Sequence, residues 1–143
     1  MRILLDTNIV IDYLQKRSAY FEHAQAILLL CQRGDITGFV STQTIADTFY
    51  ILRKDYPVTD LKGILINFCK ILYIVGVDED KLFNALIDAE FDDFEDCLQS
   101  ECAKSVGVDY IVTRNVSDYG SATIPAVTPE AFFKRFESGY EKQ

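Results

Sequence analysis

Short apolar runs alternate with stretches of helical spacing along nearly the whole chain. Ile3-Leu4-Leu5 is a strand-length run closed by Asp6, after which Ile9, Ile11 and Leu14 recur at helical intervals behind Thr7 or Asn8 as a cap. Apolar spacing from Tyr20 to about Arg33 predicts a helix with Gly34 as its C-cap. Phe39-Val40 predicts a second short strand, and Ser41 or Thr42 through Lys54 the next helix. Leu61 to Leu72 reads as an amphipathic helix, Leu72 to Val77 as a buried strand, and Lys81 to Ile87 as a helix capped by Asp78. The segment Asp88 to Asp96 is dense in carboxylates and leads into a helix of about ten residues ending near Gly107. Tyr110-Ile111-Val112 predicts a strand with the turn Thr113-Arg114-Asn115 after it and Asp118 just beyond. Ala126-Val127 predicts a last strand, Thr128-Pro129-Glu130 starts a helix, and the tail 137–143 is expected to fray.

Strand-length runs separated by helices specify an α/β fold with a central, mostly parallel sheet, whose right-handed crossovers put helices on both faces. In such sheets sites form beyond the carboxyl ends of the strands. Asp6, Ser41, Thr113 and Asn115 all occupy such positions.

Composition narrows this picture. The 143 residues, 49% of them apolar, suffice for one domain spanning 1–143 with a real core and no staples. The longest apolar runs, such as Ala26 to Cys31, fall far short of the roughly 20 residues of a membrane span, and Asp6 interrupts any signal-like core. Cys31, Cys69, Cys97 and Cys102 form no Cys-x-x-Cys pair and have only His23 as a potential zinc-binding companion, so reduced, buried thiols in a cytoplasmic protein are expected. With 22 acidic residues against 14 basic ones, the net charge of −8 repels nucleic acid at long range. Any contact with it must be local or assisted by cations.

Candidate chemistry therefore rests on acids. Asp6 follows the first strand, Asp47 lies one to two turns into the third helix, Asp96 stands near a helix start, and Asp118 follows the fourth strand. Gathered at one end of the sheet, they repel one another unless protonated or bound to a divalent cation. Hard oxygen ligands without thiolate or imidazole suit Mg2+ or Mn2+. The chain offers no Ser-His or Cys-His pair for a protein nucleophile. Taken singly, each acid is more often a helix cap or a first-turn charge than a functional group, and the hydroxyls of Thr7, Ser41 and Thr113 are ordinary caps.

Taken jointly, Asp6-Thr7-Asn8-Ile9-Val10-Ile11-Asp12-Tyr13-Leu14, Asp93-Phe94-Glu95-Asp96-Cys97-Leu98-Gln99, and Tyr110 to Asn115 with Asp118-Tyr119 resemble the PIN-domain ribonucleases, among them the VapC-like toxins of toxin-antitoxin systems. The resemblance covers nearly the entire chain, in order. It implies a three-layer α/β/α sandwich around a mostly parallel sheet, with an acidic pocket that binds Mg2+ or Mn2+ for RNA hydrolysis. By position, Asp6, Asp96 and Asp118 resemble the metal carboxylates, with Asn8 supporting the first. Thr113 and Asn115 match the polar turn, and Asp93 is either auxiliary or the helix cap. The third-helix acid is usually glutamate in this family, whereas Asp47 is one methylene shorter.

Local positive points for phosphate are Lys16-Arg17, Arg53-Lys54 and Arg114, of which Arg114 lies inside the site motif. A basic antitoxin partner and a homodimer follow from the resemblance. Two other aspartate chemistries fit less well. A phosphoryl-accepting receiver domain requires a late lysine where the turn has Thr113-Arg114-Asn115, and a haloacid-dehalogenase-like phosphatase requires an aspartate where Asn8 stands. The remaining rival is a PIN fold that binds or regulates without cutting, with Asp47 as its weak link.

Overall fold

The computed structural model describes residues 1–17 and 19–141, with side chains up to residue 139. Strand β1 (Arg2–Leu5) leads directly into α1 (Thr7–Leu14), and α2 (Phe21–Arg33) returns along the sheet to β2 (Thr37–Ser41). Helices α3 (Thr42–Leu52) and α4 (Val58–Cys69) follow, then β3 (Tyr73–Val75), α5 (Glu79–Ile87) and α6 (Phe94–Val106). The chain closes with β4 (Tyr110–Val112), a 3₁₀ turn (Val116–Tyr119), β5 (Ala126–Val127) and α7 (Pro129–Glu141). Helix α7 thus takes in part of the tail expected to fray, and residues 142–143 lie outside the described ones.

All pairings are parallel and the strand order is β3-β2-β1-β4-β5. The chain winds outward from β1 to β3 on one side, then crosses back to β4 on the other. The order therefore reverses between β1 and β4, the place where open α/β sheets form their crevice.

Period-two alternation decides which core each strand residue enters. Ile3, Leu5, Val40, Val112 and Val127 pack into the layer holding α1, α2 and α7, while Leu4, Phe39 and Ile111 point to the opposite layer with α6. Helix α5 packs on α6 through Ala85, Cys97 and Leu98. Both faces of the sheet are covered, which gives the three-layer α/β/α sandwich. A smaller cluster of Leu52, Leu61 and Leu65 joins α3 to α4.

Local chemistry sets the boundaries. Gly34 ends α2 at φ 80°, a left-handed conformation that glycine adopts without penalty. Ser41 caps α3, accepting from the Thr44 amide, and the helix ends at Leu52, two residues short of expectation. The cap of α1 is Asp6 itself, not Thr7 or Asn8, since its carboxylate accepts from the Thr7 amide at 2.8 Å. The strand expected to be buried across 72–77 is an edge strand in which Val75 is covered while Tyr73 and Ile74 are exposed. Sequence pattern could not separate these cases because nothing local states which strand ends the sheet.

Cys31, Cys97 and Cys102 are buried and Cys69 only half-buried, all as free thiols. Burial pushes Cys31 up to about 12 and Cys102 up to about 11, so neither ionises near neutrality. No helix among the described residues is long and apolar enough to cross a membrane.

Candidate active site

Asp6 leaves β1 at the β1–β4 crevice, with its amide bonded to the Val112 carbonyl at 3.0 Å. Only 8% of the residue is exposed, and its carboxylate is oriented by a ring of donors. Oδ1 accepts from the Thr7 amide and from Gln99 Nε2 at 3.2 Å; Oδ2 accepts from Thr113 Oγ1 at 2.8 Å and from Asn8 Nδ2 at 3.4 Å. Gln99 Nε2 also donates to Thr44 Oγ1 at 2.9 Å, which ties α6 to α3 across the top of β1. The Thr7 and Thr44 hydroxyls lie 3.0 Å apart in the same network.

Above this floor opens a cavity of about 400 Å3. Asp6, Asp47, Glu95 and Asp96 supply its acidic lining, with Asn8 and Asn115 beside them. Asp47 reaches it from α3 and is steadied by Gln43 Nε2 at 2.9 Å, one helical turn back. Asp96 enters from the first turn of α6. Burial, then the charges of Asp93, Asp6 and Asp118, raise its pKa to about 7. Glu95 is raised as well, chiefly by Asp47.

Asp118 stands on the far side of Asp96, where it and Asp93 line a small adjoining cavity of about 120 Å3 that shares Asp96 with the first. Asp93 is the N-cap of α6, accepting from the Asp96 amide at 3.0 Å. Thr113 is wholly buried beneath Asp6, and its hydroxyl also accepts the Asn115 amide at 3.0 Å. The Arg114 side chain turns elsewhere: Nε donates to Asp12 Oδ2 at 2.7 Å and the guanidinium lies 4.1 Å over the Tyr20 ring. Its backbone amide alone serves the floor, donating to Asn8 Oδ1 at 3.2 Å.

Sequence reasoning gave Gln99, Thr44, Glu95 and Tyr119 no role, although three of them lie inside the quoted motifs. The Tyr119 hydroxyl is buried and faces Asp6 and Asp96, and enclosure together with their charges drives its pKa far up. Glu95 lines the cavity beside Asp47, so the site retains a long carboxylate arm even though the third-helix acid is short.

Among the described residues no three acidic, histidine or cysteine side chains form a closed cation cage. The donor set nonetheless fits a hard divalent ion that keeps most of its waters and takes one or two carboxylates. Burial and the carboxylates of Asp93, Asp6 and Asp118 hold Asp96 toward its protonated form, a conflict that a hydrated cation would relieve.

The sequence model of the PIN domain matches residues 2–117, most of the chain. The protein belongs to the PIN-domain family. A curated relative, Ribonuclease VapC1 of Aquifex aeolicus (strain VF5), is 27% identical over 143 residues, covering 96% of each chain. Among solved structures, a toxin-antitoxin complex from Klebsiella pneumoniae aligns with TM-score 0.67 at 21% identity, covering 89% of this chain and 97% of the other. VapC20 of Mycobacterium tuberculosis, described as a sarcin-ricin loop cleaving toxin, aligns with TM-score 0.61 at 15% identity over 76% of this chain and 86% of its own. At these identities the two structures establish the shared fold. The acidic cavity of this PIN domain lies where that fold reverses its strand order.

Proposed function

We propose that the protein is a metal-dependent ribonuclease, cleaving RNA internally by hydrolysis, and that it is the toxin of a toxin-antitoxin pair. The observation that carries this reading is the convergence of Asp6, Asp47, Glu95 and Asp96 on one cavity at the sheet's switch point. The PIN family membership and the ribonuclease relative support it.

In this reading Asp6, Asp96 and Asp118 are the carboxylates that would hold Mg2+ or Mn2+. A divalent cation bound there would lower the pKa of water and stabilise charge developing on a phosphoryl oxygen. Gln99, Thr113, Asn8 and the Thr7 amide hold the Asp6 carboxylate in place. Asp47, fixed by Gln43, or Glu95 beside it accepts the proton released as water attacks phosphorus, while the P–O bond to one ribose breaks and the leaving oxygen takes a proton from solvent. Asn115 borders the path of the strand, and Arg114 serves the substrate from outside the acidic cavity.

A basic antitoxin complements the charge of −8, and the Klebsiella structure is a toxin-antitoxin complex. Leu82, Phe83, Leu86 and Ile87 on α5 are all exposed, an apolar face that supports assembly with protein partners, a homodimer included. The compartment in this reading is the cytoplasm.

Manganese titration followed by calorimetry tests the site. Wild type binds the ion, and Asp6→Asn and Asp96→Asn each weaken binding at least about tenfold, as loss of a charged ligand costs. Equal binding by all three would remove the assigned site.

A further inference from the structure

Behind Asn115 lies a second cavity of about 510 Å3, a volume within the range of small-ligand sites. Asn115 lines both cavities, so the two are neighbours along one path. Their electrostatics differ. Asp12 is fully buried, and its charge is met by Arg114 through two contacts, at 2.7 and 3.3 Å, and by Arg17 at 3.4 Å. Arg114 brings a cation into the lining of this cavity, beside a site whose charged lining residues are all acids. Glu130, which also borders the cavity, is itself paired with Lys134 at 3.7 Å. The contacts with Asp12 fix the guanidinium of Arg114, whose other N–H donors stay free of it.

That guanidinium lies 4.1 Å over the ring of Tyr20, which lines the cavity and is 44% exposed. On the other side of the acidic site a similar pair recurs, with Arg53 lying 5.0 Å over the ring of Tyr50, itself a lining residue and 59% exposed. Helix α3 follows β2 and the Asn115 turn follows β4, strands on opposite sides of β1. The acidic site is therefore flanked by two arginine–tyrosine stacks, each joining a π face to a positive charge. Proteins hold unpaired nucleotides with this combination.

We propose that the second cavity is a subsite for one unpaired nucleotide of a single-stranded RNA, adjacent to the cleaved phosphodiester. Its base stacks on the Tyr20–Arg114 pair, and its phosphate meets the Arg114 N–H donors that Asp12 leaves unengaged. Paired bases cannot stack this way, so the subsite selects single strands, loops or ends over continuous duplex. The inference rests on the nuclease reading for its substrate, but binding tests it separately.

The test uses the full chain in an Asp96→Asn background with Mn2+, so that RNA stays whole, and fluorescein-labelled oligo(A), oligo(U) and mixed-sequence oligoribonucleotides read by anisotropy. Tyr20→Ala is expected to weaken binding about tenfold, the effect of losing one stacked base, while Tyr20→Phe stays within about twofold. A single abasic nucleotide moved along the strand should, at one position, weaken binding by the parent and abolish its advantage over the Tyr20→Ala variant. Tyr20→Ala binding like its parent, duplex binding as tightly as single strand, or no binding by the parent would each overturn the subsite. Binding that depends on Tyr20 in a chain that never cleaves would instead sink the nuclease and leave the subsite standing. Cleavage by an otherwise native chain with KM unaltered by Tyr20→Ala would do the reverse.

Discussion

Asp96 carries the site's electrostatic conflict. Its pKa stands at about 7 because the side chain is partly enclosed and faces Asp93, Asp6 and Asp118, with only Tyr119 acting in its favour. An unfolded aspartate gives up its proton near 4, while the native chain keeps it to about 7. Across that window the native state binds the extra proton, so stability falls as pH rises and stays lower above it. With chelator present, thermal melts should lose stability between pH 5 and pH 8, and Asp96→Asn should flatten the decline and melt above wild type at pH 8. Equal slopes in the two proteins would show that Asp96 is not strained. Manganese should raise the wild-type Tm more at pH 8 than at pH 5, since its binding displaces that proton. Asp6 and Asp96 could be found in sequence because each stands beside an element boundary that the apolar pattern makes visible. Gln99 and Thr44 could not, since their bonds span 93 and 55 residues and exist only once α3 and α6 meet over β1.

At the scale of elements, the site depends on where helices begin. Asp6 caps α1, Ser41 caps α3 and Asp93 caps α6: the first lines the acidic cavity, the second holds Thr44, which lines it too, and the third lines the small cavity adjoining it. For Asp93 the cap explains its place: its carboxylate accepts the Asp96 amide, and its charge only burdens Asp96. Asp93→Ala should therefore cost about 1 kcal/mol in urea unfolding, whereas Asp93→Asn, which keeps the capping oxygen, should stay within about 0.5 kcal/mol of wild type. Matching losses for the two would deny the cap. Strand and helix order was legible almost throughout, because buried parallel strands are continuous apolar runs and surface helices are amphipathic. The exposure of Tyr73 and Ile74 was not, because β-branched and aromatic residues suit an edge strand as well as a central one.

For the whole molecule, the formal charge of −8 opposes the substrate that the fold and family suggest. The opposition is resolved locally: the acids occupy one cavity, and Arg53 and Arg114 stand on either side of it, each over a tyrosine. Composition predicted that nucleic-acid contact would be local. It could not place the positive points, because Arg114 reaches Asp12 across 102 residues of sequence. Replacement of the usual glutamate by Asp47 suggested a weakened enzyme, yet Glu95 lies beside it in the same cavity, and this neighbour favours an intact acid set. The most direct measurement is cleavage of a panel of structured and unstructured RNAs by the purified protein with Mg2+ or Mn2+. The account predicts internal cuts that disappear with chelator and fall at least about a hundredfold in Asp96→Asn. Cuts that persist in chelator, or in Asp96→Asn at the wild-type rate, would contradict it.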